Sequence, residues 1–413
     1  MQSRGTARDE VLTSSQPRRA RVGVSLAFLL FGAVYFTWAA RLPAIKDDLG
    51  LSNGELAVAL IGLGAGALAG LQLGGVLVPR IGSRAVLAVA LPLLGVLLAG
   101  PALAGSLAIL TGTAAVLAVA VNVANVAMNA HGVAVEQRLG QPIVSSLYAM
   151  HSLGGITGAG LAALAAGLGV GRAGHLLTVA GAAALTAVVA SRLLLPSSID
   201  ASRAGSAPSG HRVSALMAAL AGWLRGWSGR VMALGGLAFC VELAQSSGST
   251  WGAVWLRDSV GTSAGTAAAG LALLMAGTTA GRLAGDRLRV HFSPASLFRA
   301  GALMAGIGFG GALVAGTPTA GFAGLALLGA GTSFLLPLTV SAAGSLRGAT
   351  APAVARVATG GALGSFTAPV LIGGLAGPLS LTAALALPAL LVAATALSAR
   401  AVQPAILHSS RPR

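Results

Sequence analysis

The chain has 413 residues, 55% of them hydrophobic and 9% charged, with a mean hydropathy of +0.85. About a quarter of an ordinary soluble domain is charged, so this composition excludes a water-facing globular surface and requires lipid as solvent. The net charge of +16 does not mark a nucleic-acid binder, because the arginines stand between apolar segments and no basic-aromatic stretch accompanies them.

Residues 1–21 are polar and arginine-rich and read as a cytoplasmic tail. The apolar run from Val22 to Ala40 is longer than a signal-peptide core of about 7–15 residues, and reads as an uncleaved first span. A helix needs about 20 apolar residues to cross a bilayer. Segments of that kind lie at 22–40, 55–78, 85–104, 108–130, 144–168 and 175–195. Together they form an expected N-terminal six-helix bundle over 22–195. Residues 196–230 read as a cytoplasmic linker rich in serine and proline. Within it Leu216, Leu220, Trp223 and Trp227 recur near helical spacing, as either a short interfacial helix or an early start to span seven. Six more segments follow at 231–254, 262–281, 298–315, 319–342, 355–376 and 379–399. They form a C-terminal bundle over 231–400, with residues 401–413 as a cytoplasmic tail.

Twelve spans put both termini on one side. With the N-terminus inside, all but Arg41, Lys46, Arg172 and Arg257 of the 26 basic residues fall in cytoplasmic segments. That asymmetry places both termini in the cytoplasm of a bacterial inner membrane. The lone cysteine, Cys240, allows no disulfide within the chain and reads as a packing residue. Neither a phosphate loop nor a His-Glu-x-x-His pattern occurs, so no cofactor, no metal and no enzymatic activity are expected.

The two halves carry the same marks. Gly62, Gly66, Gly70 and Gly74 fall every fourth residue, as do Gly277, Gly281 and Gly285, and an offset of 211 superposes the last three of each ladder. Thr37-Trp38-Ala39-Ala40 returns as Thr250-Trp251-Gly252-Ala253. Duplicated halves in an apolar chain are a common build of secondary transporters. Glycine ladders let two helix backbones approach closely, and a smooth ridge would also let the halves slide on each other.

After each ladder a cytoplasmic turn is expected, Gly75-Val76-Leu77-Val78-Pro79-Arg80-Ile81-Gly82-Ser83-Arg84 and then Gly281-Arg282-Leu283-Ala284-Gly285-Asp286-Arg287. These resemble the loop motif of the major facilitator superfamily, Gly-x-Leu-Ala-Asp-Arg-x-Gly-Arg-Arg. The first copy matches at Gly75, Leu77, Arg80, Gly82 and Arg84 and has Pro79 where the family has aspartate. The second keeps Asp286-Arg287 after an extra Gly285. The resemblance implies an all-α integral membrane fold of two pseudo-symmetric six-helix bundles. It also implies that Gly75, Arg80, Gly82, Arg84, Gly281, Arg282, Gly285, Asp286 and Arg287 form conformational-switch loops. Residues 38–46, 128–136 and 281–286 further resemble a bacterial branch of proposed rhizopine (amino-cyclitol) transporters.

Polar residues within spans are the functional candidates, since a charge in hydrocarbon costs several kcal/mol. Glu242 is the one mid-span carboxylate, with Gln245 and Ser246 nearby on one face. It is either a proton-coupling group or a structural carboxylate. Asn122, Asn125 and Asn129 form one amide stripe, for a hydroxyl- or amine-bearing ligand or for helix–helix bonding. Trp38 and Trp251, with Tyr35 a turn before Trp38, are stacking surfaces for ligand or interfacial anchors. Arg41 binds substrate or pairs with Asp47 or Asp48. His151 is a second proton-relay candidate or a packing residue. Thr332, Ser333, Thr339, Thr359, Ser365 and Thr367 are further cavity candidates.

The expected function is secondary active transport of a small polar solute, sugar or amino-cyclitol-like, by alternating access with proton coupling. The expected partners are the lipid bilayer, the solute and protons, with no nucleic acid, and the chain is expected to be monomeric. Drug or natural-product efflux is one alternative. A non-transporting receptor or scaffold is an alternative of another class.

Overall fold

The computed structural model describes residues 15–140, 143–196, 228–346 and 350–403. The expected linker helix at 216–227 and most of both tails lie outside them. Among the described residues there is no strand, and twelve helical stretches are long and apolar enough to cross a membrane.

The first half holds α1 (Ser15–Ala40), α2 (Leu42–Leu49), α3 (Asn53–Ile81), α4 (Ser83–Leu103), α5 (Leu107–Leu139), α6 (Val144–Gly167) and α7 (Arg172–Arg192). The second holds α8 (Gly229–Asp258), α9 (Ala264–His291), α10 (Pro294–Ala315), α11 (Pro318–Thr332), α12 (Leu335–Gly344), α13 (Thr350–Ala376) and α14 (Leu381–Ala394), with a closing 3-10 segment, Thr395–Val402. α1 and α2 together make the first span, and α11 and α12 the tenth.

Local chemistry explains the ends. Ser52 and Glu55 form a reciprocal capping box at the start of α3, with Glu55 N donating to Ser52 Oγ at 3.2 Å and Ser52 N to Glu55 Oε2 at 2.8 Å. Ser106, Ser228, Ser263 and Ser293 cap α5, α8, α9 and α10 in the same N-cap role. The tenth span breaks at Ser333–Phe334 because Pro337 lacks an N–H for the Ser333 carbonyl and its ring crowds that group. Large apolar side chains such as Val314 and Leu397 point outward, as a lipid-facing surface requires.

The expected turns shrink. α3 continues through Gly75 and Arg80 to Ile81, and only Gly82, at φ +82°, turns the chain into α4. That conformation favours glycine. α9 likewise carries Gly281, Arg282, Gly285, Asp286 and Arg287 within the helix and ends at His291. Pro79 sits inside α3 without breaking it, and no positive-φ glycine occurs in either helix before those points.

The ladders pack inside each half, not between the halves. A Cβ on Gly66 would strike the Ala115 carbonyl, and one on Gly70 the Val119 carbonyl, both on α5. In the second half Gly277 abuts Ala326, Gly281 abuts Ala330 and Ser333, and Gly285 abuts Phe334. The offset of 211 that relates the glycines also carries Ala115 onto Ala326, Val119 onto Ala330 and Val123 onto Phe334. The duplication therefore extends to packing partners. The halves instead meet across the seam through α6 against α9 and α3 against α13. Gly66→Ala is expected to cost about 1–3 kcal/mol by overpacking, read as a lower thermal unfolding midpoint. Gly75→Ala, where a Cβ meets nothing within 4 Å, is expected to stay within about 0.5 kcal/mol.

Candidate functional site: a central chamber with a latched roof

Two cavities follow the seam. The upper chamber, about 330 Å³, is lined by helices from both halves. Tyr35, Trp38 and Asn122 come from the first half, and Glu242, Gln245 and Arg282 from the second. The lower vestibule, about 810 Å³, runs to Val144, Leu283 and Arg289 near the arginine-rich helix ends.

The roof lies on the arginine-poor side. Lys46 on α2 pairs with Asp258 at the end of α8, and Asp47 accepts from Arg257 Nε at 3.2 Å. Both pairs cross the seam, and each helix contributes one cation and one anion. Arg172 Nε meets Asp48 at 2.9 Å within the first half. These three are the ion pairs among the described residues.

Glu242 sits on α8 inside the protein. Its Oε2 accepts from Ser365 Oγ on α13 at 2.9 Å. Ser246 Oγ donates to the Ser365 carbonyl at 3.0 Å, which fixes that helix pair. Gln245 is tied by Thr332, whose Oγ1 donates to Gln245 Oε1 at 2.5 Å, and by its own Nε2 donating to Thr278 Oγ1 at 3.4 Å. Thr332 and Ser333 stand at the break between α11 and α12 and line the vestibule. The Tyr35 hydroxyl faces Ser249 and Thr250 across the seam.

His151 lines the chamber, with ring centroids of Phe31 and Phe36 at 5.4 and 6.1 Å and its Nδ1 buried without a protein partner.

The asparagine stripe divides. Asn122 lines the chamber and donates Nδ2 to the Ala118 carbonyl of its own helix at 3.0 Å. Asn125 and Asn129 line neither cavity. Asn129 Nδ2 donates to Asn125 Oδ1 at 2.8 Å, and Tyr148 OH donates to Asn129 Oδ1 at 3.0 Å. Amides in apolar surroundings satisfy each other first.

Trp38 and Trp251 are both buried, so neither anchors at a lipid interface. Trp38 lines the chamber. Trp251 instead fills the seam, where the missing side chain of Gly373 makes room beside Ala57. Arg41 is absent from both cavity linings and pairs with neither Asp47 nor Asp48. Its Nε donates to His175 Nδ1 at 3.1 Å and its Nη2 to the Val170 carbonyl at 2.9 Å. It ties α1 to the start of α7.

Sequence reasoning missed the cavity role of Arg282 and the roof pairs. Arg282 looked like a loop residue because a motif held it, yet α9 extends past it and turns it inward. Lys46, Asp47, Arg257 and Asp258 carried one signal, namely opposite charges at the outer ends of equivalent spans one and seven.

No family model matches the chain. It is 32% identical over 390 residues to an uncharacterised MFS-type transporter of Yersinia pestis, covering 92% of this chain and 95% of that one. It is 30% identical over 329 residues to the uncharacterised transporter y4wD of Sinorhizobium fredii, covering 78% and 81%. Membrane protein MosC of Rhizobium meliloti is 26% identical over 329 residues, 78% of this chain and 75% of MosC. Among solved structures, the nucleoside transporter NupG carrying D323A superposes with a TM-score of 0.76 at 13% identity, over 93% of this chain and 99% of that one. A D-xylose–proton symporter gives 0.66 at 14% identity, over 93% and 97%. These structural likenesses concern the fold. With duplicated bundles around a seam cavity and an MFS-type relative 32% identical over 95% of its length, the chain belongs to the major facilitator superfamily and is a multi-pass membrane transporter, not an enzyme.

Proposed function

We propose that the chain moves a small polar solute, sugar or amino-cyclitol-like, across the bacterial inner membrane by proton-coupled alternating access. The arginine-rich side is the cytoplasm and holds both termini, and the chain acts as a monomer. The observation that carries this reading is Glu242, a buried mid-span carboxylate that borders both cavities and has a hydroxyl partner but no ion pair within 4.0 Å. A group so placed can hold a proton on either side of the transport cycle. The amides and hydroxyls of Asn122, Gln245 and Thr278 suit a hydroxylated ligand, and about 330 Å³ suits a small one. The resemblance to proposed rhizopine transporters and the fold shared with a D-xylose–proton symporter support the same solute class and coupling ion. The motif residues Gly75, Arg80, Gly82, Arg84, Gly281, Gly285, Asp286 and Arg287, which lie in α3, α4 and α9 and at the Gly82 turn, serve the movement of the halves.

Efflux of an apolar compound is the second reading. It is favoured by Phe31, Tyr35, Phe36, Trp38 and Phe366, which concentrate in the chamber of a chain only 4% aromatic. Flux of labelled inositols, sugars and amines into proteoliposomes, with and without a pH gradient, tests the first. A pH-gradient-driven uptake of at least one polyol or amine is expected. Uptake of none, together with raised drug resistance of an overexpressing strain, would favour the second.

A further inference from the structure

The chamber and the vestibule meet at a waist. Ser152, Glu242, Gln245, Thr278 and Arg282 line both. Four of these belong to the second half, and Ser152 comes from the first. Among the described residues, the hydrogen bonds that cross the seam here come from Arg282. Its Nη1 donates to Ser152 Oγ at 2.6 Å and lies 3.5 Å from the Tyr148 carbonyl oxygen. Ser152 Oγ in turn donates to that carbonyl at 3.2 Å, so the acceptor oxygen is held in place by its own helix. Ser152 is almost fully buried.

Arg282 has a second partner within reach of its field. Glu242 borders the same waist from the same half, yet the two form no ion pair within 4.0 Å. Each is bonded instead to a neutral hydroxyl, Glu242 to Ser365 and Arg282 to Ser152. Opposite charges in a poorly solvated space attract strongly. A guanidinium has five donors in a fixed fork and can exchange one acceptor for another by rotating its stem. One partner lies across the seam and the other on its own side.

We infer that Arg282 is the closing residue of the chamber's inner end. Bonded to Ser152 and the Tyr148 carbonyl, it ties α9 to α6 and separates the chamber from the vestibule. Released from Ser152, it turns to Glu242 within its own half, and the waist opens without any helix having to unwind. With Lys46–Asp258 and Asp47–Arg257 bridging the roof, the two halves are then tied to each other on both sides of the chamber in this conformation. The role goes beyond the proposed proton coupling and does not depend on which ion drives transport.

The test is access to the chamber. Gly64 lines it, and a Cβ there meets no atom within 4 Å, so a cysteine fits. In a Cys240→Ser background, Gly64→Cys is labelled with 2-(trimethylammonium)ethyl methanethiosulfonate in membrane vesicles of each orientation, without substrate or pH gradient. Ser152→Ala removes a charge-assisted hydrogen bond and is expected to raise the labelling rate about tenfold from one side only. Arg282→Lys keeps the charge but loses the fork, and is expected to give an intermediate rise from that same side. The side of entry also reports which face holds the vestibule. An unchanged rate in both variants, or an equal rise from both sides, would overturn the gate. Because no proton gradient is involved, either result leaves the coupling role of Glu242 to its own test.

Discussion

Glu242→Gln is expected to abolish solute accumulation driven by a pH gradient, at least about tenfold in the steady-state ratio, while downhill exchange of the same solute persists. Glutamine keeps the volume and still offers an oxygen to Ser365 Oγ, which now donates to Glu242 at 2.9 Å, so the α8–α13 contact survives. What is lost is a group that can gain and release a proton. A charge at mid-membrane costs several kcal/mol, and this carboxylate has no ion-pair partner within 4.0 Å. Proteoliposome uptake under an imposed gradient, compared with counterflow at equal pH, separates coupling from movement. Undiminished uphill accumulation in Glu242→Gln, with loss in His151→Gln, would move the proton to the imidazole among Phe31 and Phe36.

The second large effect concerns the roof. Lys46→Asp is expected to open the arginine-poor side, and adding Asp258→Lys to close it again. The Lys46 and Asp258 side chains are 13% and 23% exposed, whereas Arg257 and Asp47 are 40% and 44% exposed. Solvent screens the second pair, so the first carries most of the latch. Turning a half-buried attraction into repulsion is worth about 2 kcal/mol, roughly a thirtyfold shift between two conformations. Labelling of Gly64→Cys from the arginine-poor side measures it. Equal labelling in Lys46→Asp and the parent would remove the latch from the mechanism. High salt should weaken the effect only slightly, because the Lys46–Asp258 pair is largely withdrawn from solvent and such pairs are screened much less than exposed charges.

The roof and the waist show why the fold was more legible than the site. Twelve apolar stretches and a repeated glycine spacing are properties of contiguous sequence, and hydrocarbon permits few arrangements of such stretches. The offset between ladders even held for their packing partners, Ala115 with Ala326 and Val119 with Ala330. Site residues are different, because each is one side chain on a helix whose rotation the sequence states only loosely. Trp38 and Trp251 occupy matching places in the repeat, yet one lines the chamber and the other fills the space left by Gly373. Asn122 and Asn129 lie two turns apart on one stripe, yet only the former reaches the chamber. Arg41 reads from the sequence as a substrate ligand or a partner of Asp47 or Asp48, yet it is taken by His175, a residue 134 positions away.

By itself the sequence determined the solvent, the number of spans, the duplication and the presence of a mid-span carboxylate. Each of these follows from hydrophobicity and spacing along the chain, and needs no knowledge of which helices touch. Only the tertiary structure decided which polar groups share the chamber, that Arg282 reaches across to Ser152, and that Lys46 meets Asp258. Those pairings join helices far apart in the chain, and their energy depends on distances of a few ångströms that helix packing alone sets.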